Sequence, residues 1–216
     1  MNKAIVLLSG GLDSLVALDI IKCENEIALA LNFNYGQLVF KEENEAAKNI
    51  AKYYDIELKT IELPYLKALC NNALTNFENK NNDDFNSVWV PNRNGLFLNI
   101  AASFCDSLNI DKIVIGANKK EALEFSDNSR DFISAINESF KYSTLKHCEV
   151  AAPCIDFDKV DMINYAIDNK LPLSYIKSCY SPFENNKAHC GKCKSCKLLF
   201  EAIKNSKNPD IIKEIR

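Results

Sequence analysis

The chain has 216 residues, of which 47% are hydrophobic and 25% charged, and its formal net charge is -3 at pH 7. This length and apolar content allow one sizeable core with at most a small appended module. The slight acidic charge argues against a surface that neutralises phosphates, so we do not expect a nucleic-acid partner. Residues 1–8 are too short for a signal-peptide core or a membrane span, so we expect a cytoplasmic protein without membrane contact. The sequence leaves the oligomeric state open, a homodimer included.

Apolar residues alternate along the chain between short continuous runs, typical of buried strands, and runs with helical spacing. In chain order these patterns predict a strand at 3–8, a helix at 12–21, a strand at 26–33, a helix at 41–54, a strand at 57–63, a helix at 96–108, a strand at 112–116, a helix at 131–142, a strand at 150–155 and a helix at 159–168. Parallel strands need crossover connections, so such repeated units favour a parallel sheet. We therefore predict an α/β, doubly wound, Rossmann-like domain with helices on both faces of the sheet.

Two segments depart from this regularity. Residues 68–86 are rich in asparagine and acidic residues and show little periodicity, which predicts a flexible loop inserted over the core. After residue 171 the strand and helix patterns end and a cysteine-rich tail begins. We therefore divide the chain into a main domain at 1–170 and a C-terminal segment at 171–216 that packs on the same core.

The stretch Ser9-Gly10-Gly11-Leu12-Asp13-Ser14, called the glycine loop below, lies between the first predicted strand and its helix. Backbone N–H groups at the start of a helix attract anionic oxygens, and glycines let those oxygens come close. The alternative is a plain glycine turn followed by a helix cap. Neither the lysine of a Walker loop nor the third glycine of a dinucleotide fingerprint is present, so kinase-type and hydride-transfer sites are not favoured.

Four of the nine cysteines, Cys179, Cys190, Cys193 and Cys196, form two overlapping Cys-x-x-Cys pairs with one further thiol upstream. Tetrahedral Zn²⁺ takes four such thiolates, so the spacing predicts a closed, structural zinc site. Free thiols, a redox pair and an iron–sulfur cluster are the alternatives. His189 could replace one cysteine, although a histidine beside a ligand is more often a surface residue. We expect burial for the remaining cysteines, Cys23, Cys70, Cys105, Cys148 and Cys154.

The glycine loop resembles the signature of the pyrophosphate-loop ATPases, also called the adenine-nucleotide alpha-hydrolase-like family. The resemblance implies attack on the α-phosphate of ATP, release of pyrophosphate, and Mg²⁺ that spreads the developing charge. It also implies that Asp13 and Ser14 take part in catalysis. The residues implied to bind ATP are Leu8, Ser9, Gly10, Gly11, Leu12, Asp13, Ser14, Leu15, Val16, Ala17 and Leu18.

Over nearly the whole chain, the sequence resembles the 7-cyano-7-deazaguanine synthase family. The matching stretches are the glycine loop, Tyr35-Gly36-Gln37, Pro91-Asn92-Arg93-Asn94 and the four clustered cysteines. The resemblance implies a ligase of queuosine biosynthesis that uses ATP to convert 7-carboxy-7-deazaguanine and ammonia to the nitrile, through an adenylated acid and an amide. The fold leaves no room in 216 residues for a glutamine-amidotransferase segment, so we expect free ammonia as the nitrogen source.

The same resemblance implies a substrate pocket, with Arg93 and Asp127 among the catalytic residues. Its implied substrate-binding residues are Tyr35, Gln37, Arg93, Glu121, Asp127 and Arg130. The chain departs from the family where Leu38 and Val39 replace basic residues and where Ser129 replaces an arginine, with Arg130 one place later. A substrate carboxylate requires a nearby cation, and these departures leave open which residue supplies it.

Two alternative functions share these features. A tRNA-thiolating or lysidine-forming enzyme of the same superfamily would also have the loop and, in some members, metal-binding cysteines, but the acidic net charge weighs against it. A zinc-ribbon binding module with an inactive nucleotide fold would need no turnover. Release of pyrophosphate from ATP in the presence of a carboxylate substrate would exclude the binding module.

Overall fold

The computed structural model describes residues 2–70, 72–76, 88–181 and 189–215. The strands are β1 (Asn2–Leu7), β2 (Asn25–Asn34), β3 (Leu58–Glu62), β4 (Lys112–Val114) and β5 (Glu149–Ala151). The α-helices are α1 (Leu12–Lys22), α2 (Phe40–Tyr53), α3 (Pro64–Leu69), α4 (Arg93–Leu108), α5 (Lys119–Glu124), α6 (Arg130–Ser143), α7 (Lys159–Asp168), α8 (Lys194–Lys204) and α9 (Ile212–Ile215). Short 3₁₀ turns lie at Ser126–Asn128, Leu173–Tyr175 and Pro209–Ile211.

The five strands form one parallel sheet in the order β3-β2-β1-β4-β5. β1 is central, and Val6 pairs with Ala30 of β2 on one side and with Val114 of β4 on the other. The chain winds outward in one direction from β1 to β3 and then crosses back to β4. This arrangement leaves a topological switch point between the ends of β1 and β4, where ligands bind in open α/β sheets.

Alternate residues of β1 enter two separate hydrophobic clusters, as a strand covered on both faces requires. Ala4 and Val6 belong to a cluster built with α1, α2, α7 and α8, whereas Ile5 and Leu7 belong to a cluster built with α4 and α6. Helices therefore cover both faces of the sheet. The predicted doubly wound α/β fold is confirmed, and each predicted strand and helix has the predicted type.

Side-chain caps fix the starts of the helices that border the switch point. Asp158 accepts hydrogen bonds from the backbone N–H groups of Val160 and Asp161, and Asp161 completes a capping box. Asn118 caps α5 through Glu121 N, and Ser129 caps α6 through Phe132 N. Because these caps set where each helix begins, they also set the position of Lys159 and Glu121 at the edge of the sheet.

The C-terminal segment contains more regular structure than the sequence predicts. Helix α8 packs against α7, and Leu173, Ile176, Leu199 and Ile203 join the first hydrophobic cluster. Three of the clustered cysteines precede α8 and Cys196 lies in its first turn, so the cysteine pattern obscures the apolar periodicity of this helix in the sequence. Among the described residues, no helix is long and apolar enough to cross a membrane.

The predicted loop at 68–86 lies partly outside the described residues, which omit 71 and 77–87. The described part begins within α3, and its residues 72–75 are buried. Leu74 O accepts a hydrogen bond from Leu38 N, and Asn72 Nδ2 donates one to Trp89 O. Residues 72–75 are therefore packed onto the core and not detached from it.

Candidate active site

A cavity of about 290 Å³ opens at the carboxyl ends of β1, β2 and β4, at the topological switch point. One side is the glycine loop, and the other sides come from the loop after β2, the start of α4, the α5 region and the residues before the cysteine cluster. Elements distant in sequence meet here because the carboxyl ends of parallel strands share one edge of the sheet.

Contacts with α2 and with the segment before the cysteine cluster fix the position of the glycine loop. Gly10 has a φ of +87°, and a Cβ there would lie 2.6 Å from Glu43 O, so only glycine fits against α2. Lys177 N donates to Gly10 O at 2.8 Å, and Leu12 N donates to Ser178 Oγ at 3.4 Å. The segment before the cysteine cluster therefore positions the loop, and the N-terminus of α1 faces the cavity, an arrangement that favours anionic ligands.

Asp13 is the centre of a polar network on the floor of the cavity. Lys159 Nζ donates to Asp13 Oδ1 at 2.6 Å, and Asn118 Nδ2 donates to the same oxygen at 2.9 Å. Glu121 Oε1 lies 3.7 Å from Lys159 Nζ. Burial lowers the pKa of Lys159, but the charges of Asp13 and Glu121 outweigh it and raise the pKa above the ordinary lysine value. Lys159 therefore remains a cation between two carboxyl groups.

Gly116, just after β4, allows the carboxyl end of this strand to lie close to the glycine loop. A Cβ on this residue would lie 2.8 Å from both Asp13 C and Ser14 N. Backbone atoms cannot move aside as a flexible side chain can. The contact brings Asn118, two residues later, within hydrogen-bonding distance of Asp13.

The wall opposite the loop carries Arg93, at the start of α4. Its guanidinium lies over the Tyr35 ring at 5.8 Å, and Nη1 donates to Tyr35 Oη at 3.5 Å. Asp127 lies on the same side of the cavity, where Asn94 Nδ2 donates to its backbone oxygen. Burial raises the pKa of the Asp127 carboxyl, and the charge of Arg93 opposes that shift.

A further carboxyl group, that of Glu43 on α2, lines the cavity beside the loop. Gln37 Nε2 donates to Glu43 Oε2 at 3.1 Å and to Phe33 O at 2.9 Å, which ties the Tyr35-Gly36-Gln37 turn to α2. Burial raises the pKa of Glu43 to about 7, against the lowering effects of Gln37, Arg93 and Lys177.

The four predicted cysteine ligands lie together, with all four Sγ atoms within 4.8 Å of one another. The Sγ atoms of Cys190 and Cys196 are 3.9 Å apart, close to the edge of a tetrahedron with metal–sulfur bonds of about 2.3 Å. Backbone N–H groups of Ser181 and Cys190 donate to Cys179 Sγ, as suits a thiolate. This geometry fits a four-thiolate metal site.

His189 and Cys23 correct two expectations drawn from the sequence. His189 is buried, with Nδ1 donating to Ile215 O at 2.9 Å and Nε2 accepting from Ser178 N at 3.2 Å, so neither nitrogen is left for a metal. Its expected surface position is wrong, because it anchors the C-terminal helix α9. Cys23 is exposed and not buried, because it follows the last turn of α1.

Most of the predicted site residues border one cavity. Those that line it are Leu8, Ser9, Gly11, Asp13, Ser14, Tyr35, Gln37, Arg93, Glu121 and Asp127. The side chains of Leu12, Leu15, Val16, Ala17 and Leu18 lie in the hydrophobic core instead, because α1 turns them toward the sheet, and Gly10 packs on α2. Arg130 does not line this cavity, since it is exposed and paired with Asp156.

Sequence reasoning missed several residues of the cavity, chief among them Lys159, Lys177, Ser178, Glu43 and Trp89. The sequence contains a weak indication for Lys159. It is the first residue of the helix after the last strand, and this position lies near the carboxyl edge of the sheet. Lys177 and Ser178 come directly before Cys179, and no local sequence pattern places them under the glycine loop.

A five-stranded parallel sheet in the order 3-2-1-4-5, with a glycine loop at its switch point, defines a doubly wound, Rossmann-like α/β protein. A family model described as queuosine biosynthesis protein QueC matches residues 3–207, and the chain belongs to this family.

Curated relatives agree with this family assignment, and solved structures agree with the fold. The chain is 42% identical to a 7-cyano-7-deazaguanine synthase of Carboxydothermus hydrogenoformans over 94% of this chain and 98% of the relative. It is 39% identical to a protein of the same name from Methanosarcina mazei, over 94% of each chain. Among solved structures, NMN synthetase from Francisella tularensis covers 99% of this chain and 82% of its own, with a TM-score of 0.52 and 14% identity. The NH3-dependent NAD synthetase from Campylobacter jejuni covers 82% and 67%, with a TM-score of 0.51 and 18% identity, so these two support the fold alone.

Proposed function

We propose that this chain converts 7-carboxy-7-deazaguanine, ammonia and ATP to 7-cyano-7-deazaguanine. The observation that carries the proposal is one cavity, in a member of the QueC family, that combines an anion-binding glycine loop with buried cations and carboxyl groups. Its volume of about 290 Å³ suits a small bicyclic acid beside the phosphates of a nucleotide.

The chemistry requires two activations of oxygen. The acid carboxylate attacks the α-phosphate of ATP, which forms an acyl-adenylate and releases pyrophosphate. Ammonia displaces AMP and gives the amide. The amide oxygen then attacks a second ATP, and loss of AMP and protons from the imidoyl-adenylate gives the nitrile. Both oxygens of the acid leave as oxygens of AMP, so two ATP are consumed per nitrile.

The glycine loop is suited to the pyrophosphate leaving group. Backbone N–H groups at the start of α1 and the Ser9 and Ser14 hydroxyls face the cavity, where they would hold the β- and γ-phosphates. The two hydroxyl oxygens lie 3.2 Å apart, and Ser14 Oγ donates to Gly11 O at 3.0 Å, a hydrogen bond that it would exchange for one to a phosphate oxygen. Mg²⁺ would spread the charge that develops on the phosphates, and the Asp13 and Glu121 carboxylates are the oxygen ligands that such an ion prefers.

Lys159 is our candidate for the cation that binds the carboxylate of the substrate. The reacting carboxylate must lie against the α-phosphate and therefore beside the glycine loop, where Lys159 bonds Asp13. The positions at which the family resemblance implies basic residues do not supply this cation. Leu38 and Val39 are apolar, and Arg130 lies outside the cavity. Arg93 and Asp127 occupy the opposite wall and would contact the heterocycle. An ammonium ion beside two anions lowers the cost of bringing them together.

The four-cysteine cluster would hold a structural Zn²⁺ that stabilises the segment in contact with the glycine loop. Cys179 follows directly after Lys177 and Ser178, the two residues that hydrogen-bond to the glycine loop. A metal at the cluster would therefore fix the backbone under the loop and take no direct part in the reaction.

The direct test is incubation of the purified protein with 7-carboxy-7-deazaguanine, ammonium and ATP, followed by mass spectrometry of the bases. We expect the nitrile, with the amide as a transient. Transfer of sulfur or lysine to tRNA in place of nitrile formation would assign the chain to another reaction of the same fold.

A further inference from the structure

Tyr180 lines the cavity and has no role in the chemistry above. It directly follows Cys179 of the four-cysteine cluster. Its ring packs against the cysteine cluster and also against the hydrophobic cluster built with α4 and α6. A tyrosine combines an apolar body with a polar tip, so packing holds the ring and leaves the hydroxyl as the group that can contact a ligand.

The backbone next to Tyr180 is fixed by hydrogen bonds. Ser181 N donates to Cys179 Sγ at 3.3 Å, and Lys177 Nζ donates to Ser181 O at 2.9 Å. Lys177 N in turn donates to Gly10 O of the glycine loop at 2.8 Å. The cysteine cluster and the glycine loop therefore hold Tyr180 in one position, as a ligand-contacting side chain requires.

The Tyr180 hydroxyl has no hydrogen-bond partner among the residues that the structure describes. Other tyrosines away from the surface differ in this respect. Tyr54 and Tyr165 each donate to one oxygen of Asp19, at 2.9 Å and 3.0 Å, and Tyr35 accepts from an arginine. Polar groups away from water nearly always have a partner in folded proteins. A hydroxyl that lacks one at a cavity wall is therefore a candidate for a bond to a ligand.

Charged groups from two sides of the cavity act on this hydroxyl. Burial raises the pKa of Tyr180, the charge of Glu121 adds to that increase, and the charge of Arg93 opposes it. Glu121 lies beside Lys159, our candidate for binding the substrate carboxylate, and Arg93 lies on the wall assigned to the heterocycle. Because charge interactions weaken with distance, the hydroxyl lies near both groups, where the carboxyl group of a bound acid would join its ring.

The proposed reaction makes a particular demand on the substrate atom that does not react. In the first activation one oxygen of the acid attacks the α-phosphate, and the other oxygen stays behind. In the second activation the amide oxygen attacks, and the amide nitrogen stays behind. The atom that stays behind accepts hydrogen bonds as an oxygen and donates them as an NH₂ group. One subsite must therefore serve an acceptor first and a donor later.

A phenol hydroxyl meets both demands, since it donates through its hydrogen and accepts through its lone pairs. The lysine and arginine side chains of the cavity only donate, and its ionised carboxyl groups only accept. The Ser9 and Ser14 hydroxyls bond one another at the glycine loop, where they would meet the phosphates. The Tyr35 hydroxyl already accepts from Arg93.

We propose that Tyr180 contacts the substrate, and that its hydroxyl donates to the unreacted oxygen of the acid in the first activation and accepts from the NH₂ group of the amide in the second. This role rests on the proposed function for the identity of the ligand. It also links the cysteine cluster to the substrate, because Cys179 holds the residue that contacts it.

Tyr180→Phe tests this role, because it removes the hydroxyl and keeps the ring. We expect kcat/KM for nitrile formation to fall about tenfold or more with the acid and ammonium, and equally with the amide supplied directly, while the KM for ATP changes less than about threefold. Tyr142→Phe, at an exposed position of α6, is the matched control and should keep wild-type kinetics. Unchanged kcat/KM with either substrate would overturn the proposal.

Melting temperature and metal content separate a substrate contact from a contact within the protein. Because the hydroxyl bonds no described residue, Tyr180→Phe should melt within about 2 °C of the wild type and keep its metal content. A clear loss of stability or of metal would show that the hydroxyl bonds within the protein, and would overturn the proposal.

Failure of the proposed function has a different signature. A wild-type enzyme that forms the nitrile, with the same kcat/KM in Tyr180→Phe, would contradict the role of Tyr180 alone. A wild-type protein that forms no nitrile would contradict the proposed function, and calorimetry with the acid and the amide then tests Tyr180 by itself. We expect both dissociation constants to be about tenfold higher in Tyr180→Phe. Equal constants would overturn the role of Tyr180, and binding of neither ligand to the wild type would overturn both proposals.

Discussion

Lys159 and Asp13 are 146 residues apart in the chain, yet Lys159 Nζ lies 2.6 Å from Asp13 Oδ1 on the floor of the cavity. Their side chains are only about one-fifth exposed, at 20% and 21%. Removal of Lys159 leaves two carboxyl groups, those of Asp13 and Glu121, without the cation between them.

We therefore expect Lys159→Ala to reduce kcat on the order of a hundredfold or more, because a charge-stabilising group is lost from the reacting centre. Asp13→Ala and Ser14→Ala should give reductions of similar size. Pyrophosphate release measured with saturating substrates gives the values. Lys141→Ala, which removes an exposed ion pair with Glu138 on α6, should keep wild-type activity. Near-normal turnover in Lys159→Ala would contradict the assigned role.

Gly116→Ala tests the close approach of β4 to the glycine loop. The new Cβ would lie 2.8 Å from Asp13 C and Ser14 N, so we expect both the melting temperature and activity to fall. Gly11→Ala is the matched comparison for stability, since its Cβ would meet its nearest neighbour at 3.5 Å with a φ of -83°. Thermal unfolding should show a small loss for Gly11→Ala, about 1 kcal/mol at most, and a clearly larger one for Gly116→Ala. Equal losses of thermal stability in the two variants would mean that the glycine loop shifts away from the new Cβ at little cost.

Glu43 should make stability depend on pH. Burial raises its pKa to about 7, so the folded state favours the protonated carboxyl. As the pH rises from about 4.5 to 7 the unfolded chain ionises first, and the contribution of Glu43 to stability falls before it levels off above pH 7. Glu43→Gln keeps an acceptor for Gln37 and removes this cost. Its melting temperature relative to wild type should therefore be higher at pH 8 than at pH 5.

The control for this effect is Glu138→Gln, whose exposed carboxylate pairs with Lys141 and has a lowered pKa. Loss of that pair should not stabilise the protein at pH 8. A melting-temperature difference for Glu43→Gln that is the same at both pH values would show that the Glu43 carboxyl stays solvated.

The features predicted correctly from sequence are those encoded locally. The glycine loop and the cysteine cluster each occupy a short stretch, and the alternation of strands and helices follows from apolar periodicity. Lys159 and Lys177 meet the loop only because the sheet order brings β1 beside β4 and the tail beneath α1. The predicted ATP-binding stretch reaches Leu18, and a helix pattern alone does not reveal that the side chains from Leu15 to Leu18 lie in the core. His189 was misassigned for a similar reason, since its partner Ile215 lies in a helix formed far along the chain.

Cys193→Ser tests the proposed metal site and its link to the loop. We expect about one zinc per chain in wild-type protein purified without added metal, and almost none in the variant. The variant should lose thermal stability and solubility, more than it loses intrinsic ATP affinity. Cys23→Ser, at an exposed thiol, should retain the full metal content. Iron absorption with little zinc in the wild-type protein would contradict the zinc assignment.

The stoichiometry of nucleotide products tests the proposed chemistry most directly. Wild-type protein supplied with 7-carboxy-7-deazaguanine, ammonium, Mg²⁺ and ATP should form two AMP and two pyrophosphate for each nitrile, because each oxygen of the acid leaves on one AMP. Quantification of all nucleotides and of the nitrile in the same reaction gives this ratio. A ratio near two AMP per nitrile is the predicted result, and formation of ADP and inorganic phosphate in step with the nitrile would contradict attack at the α-phosphate.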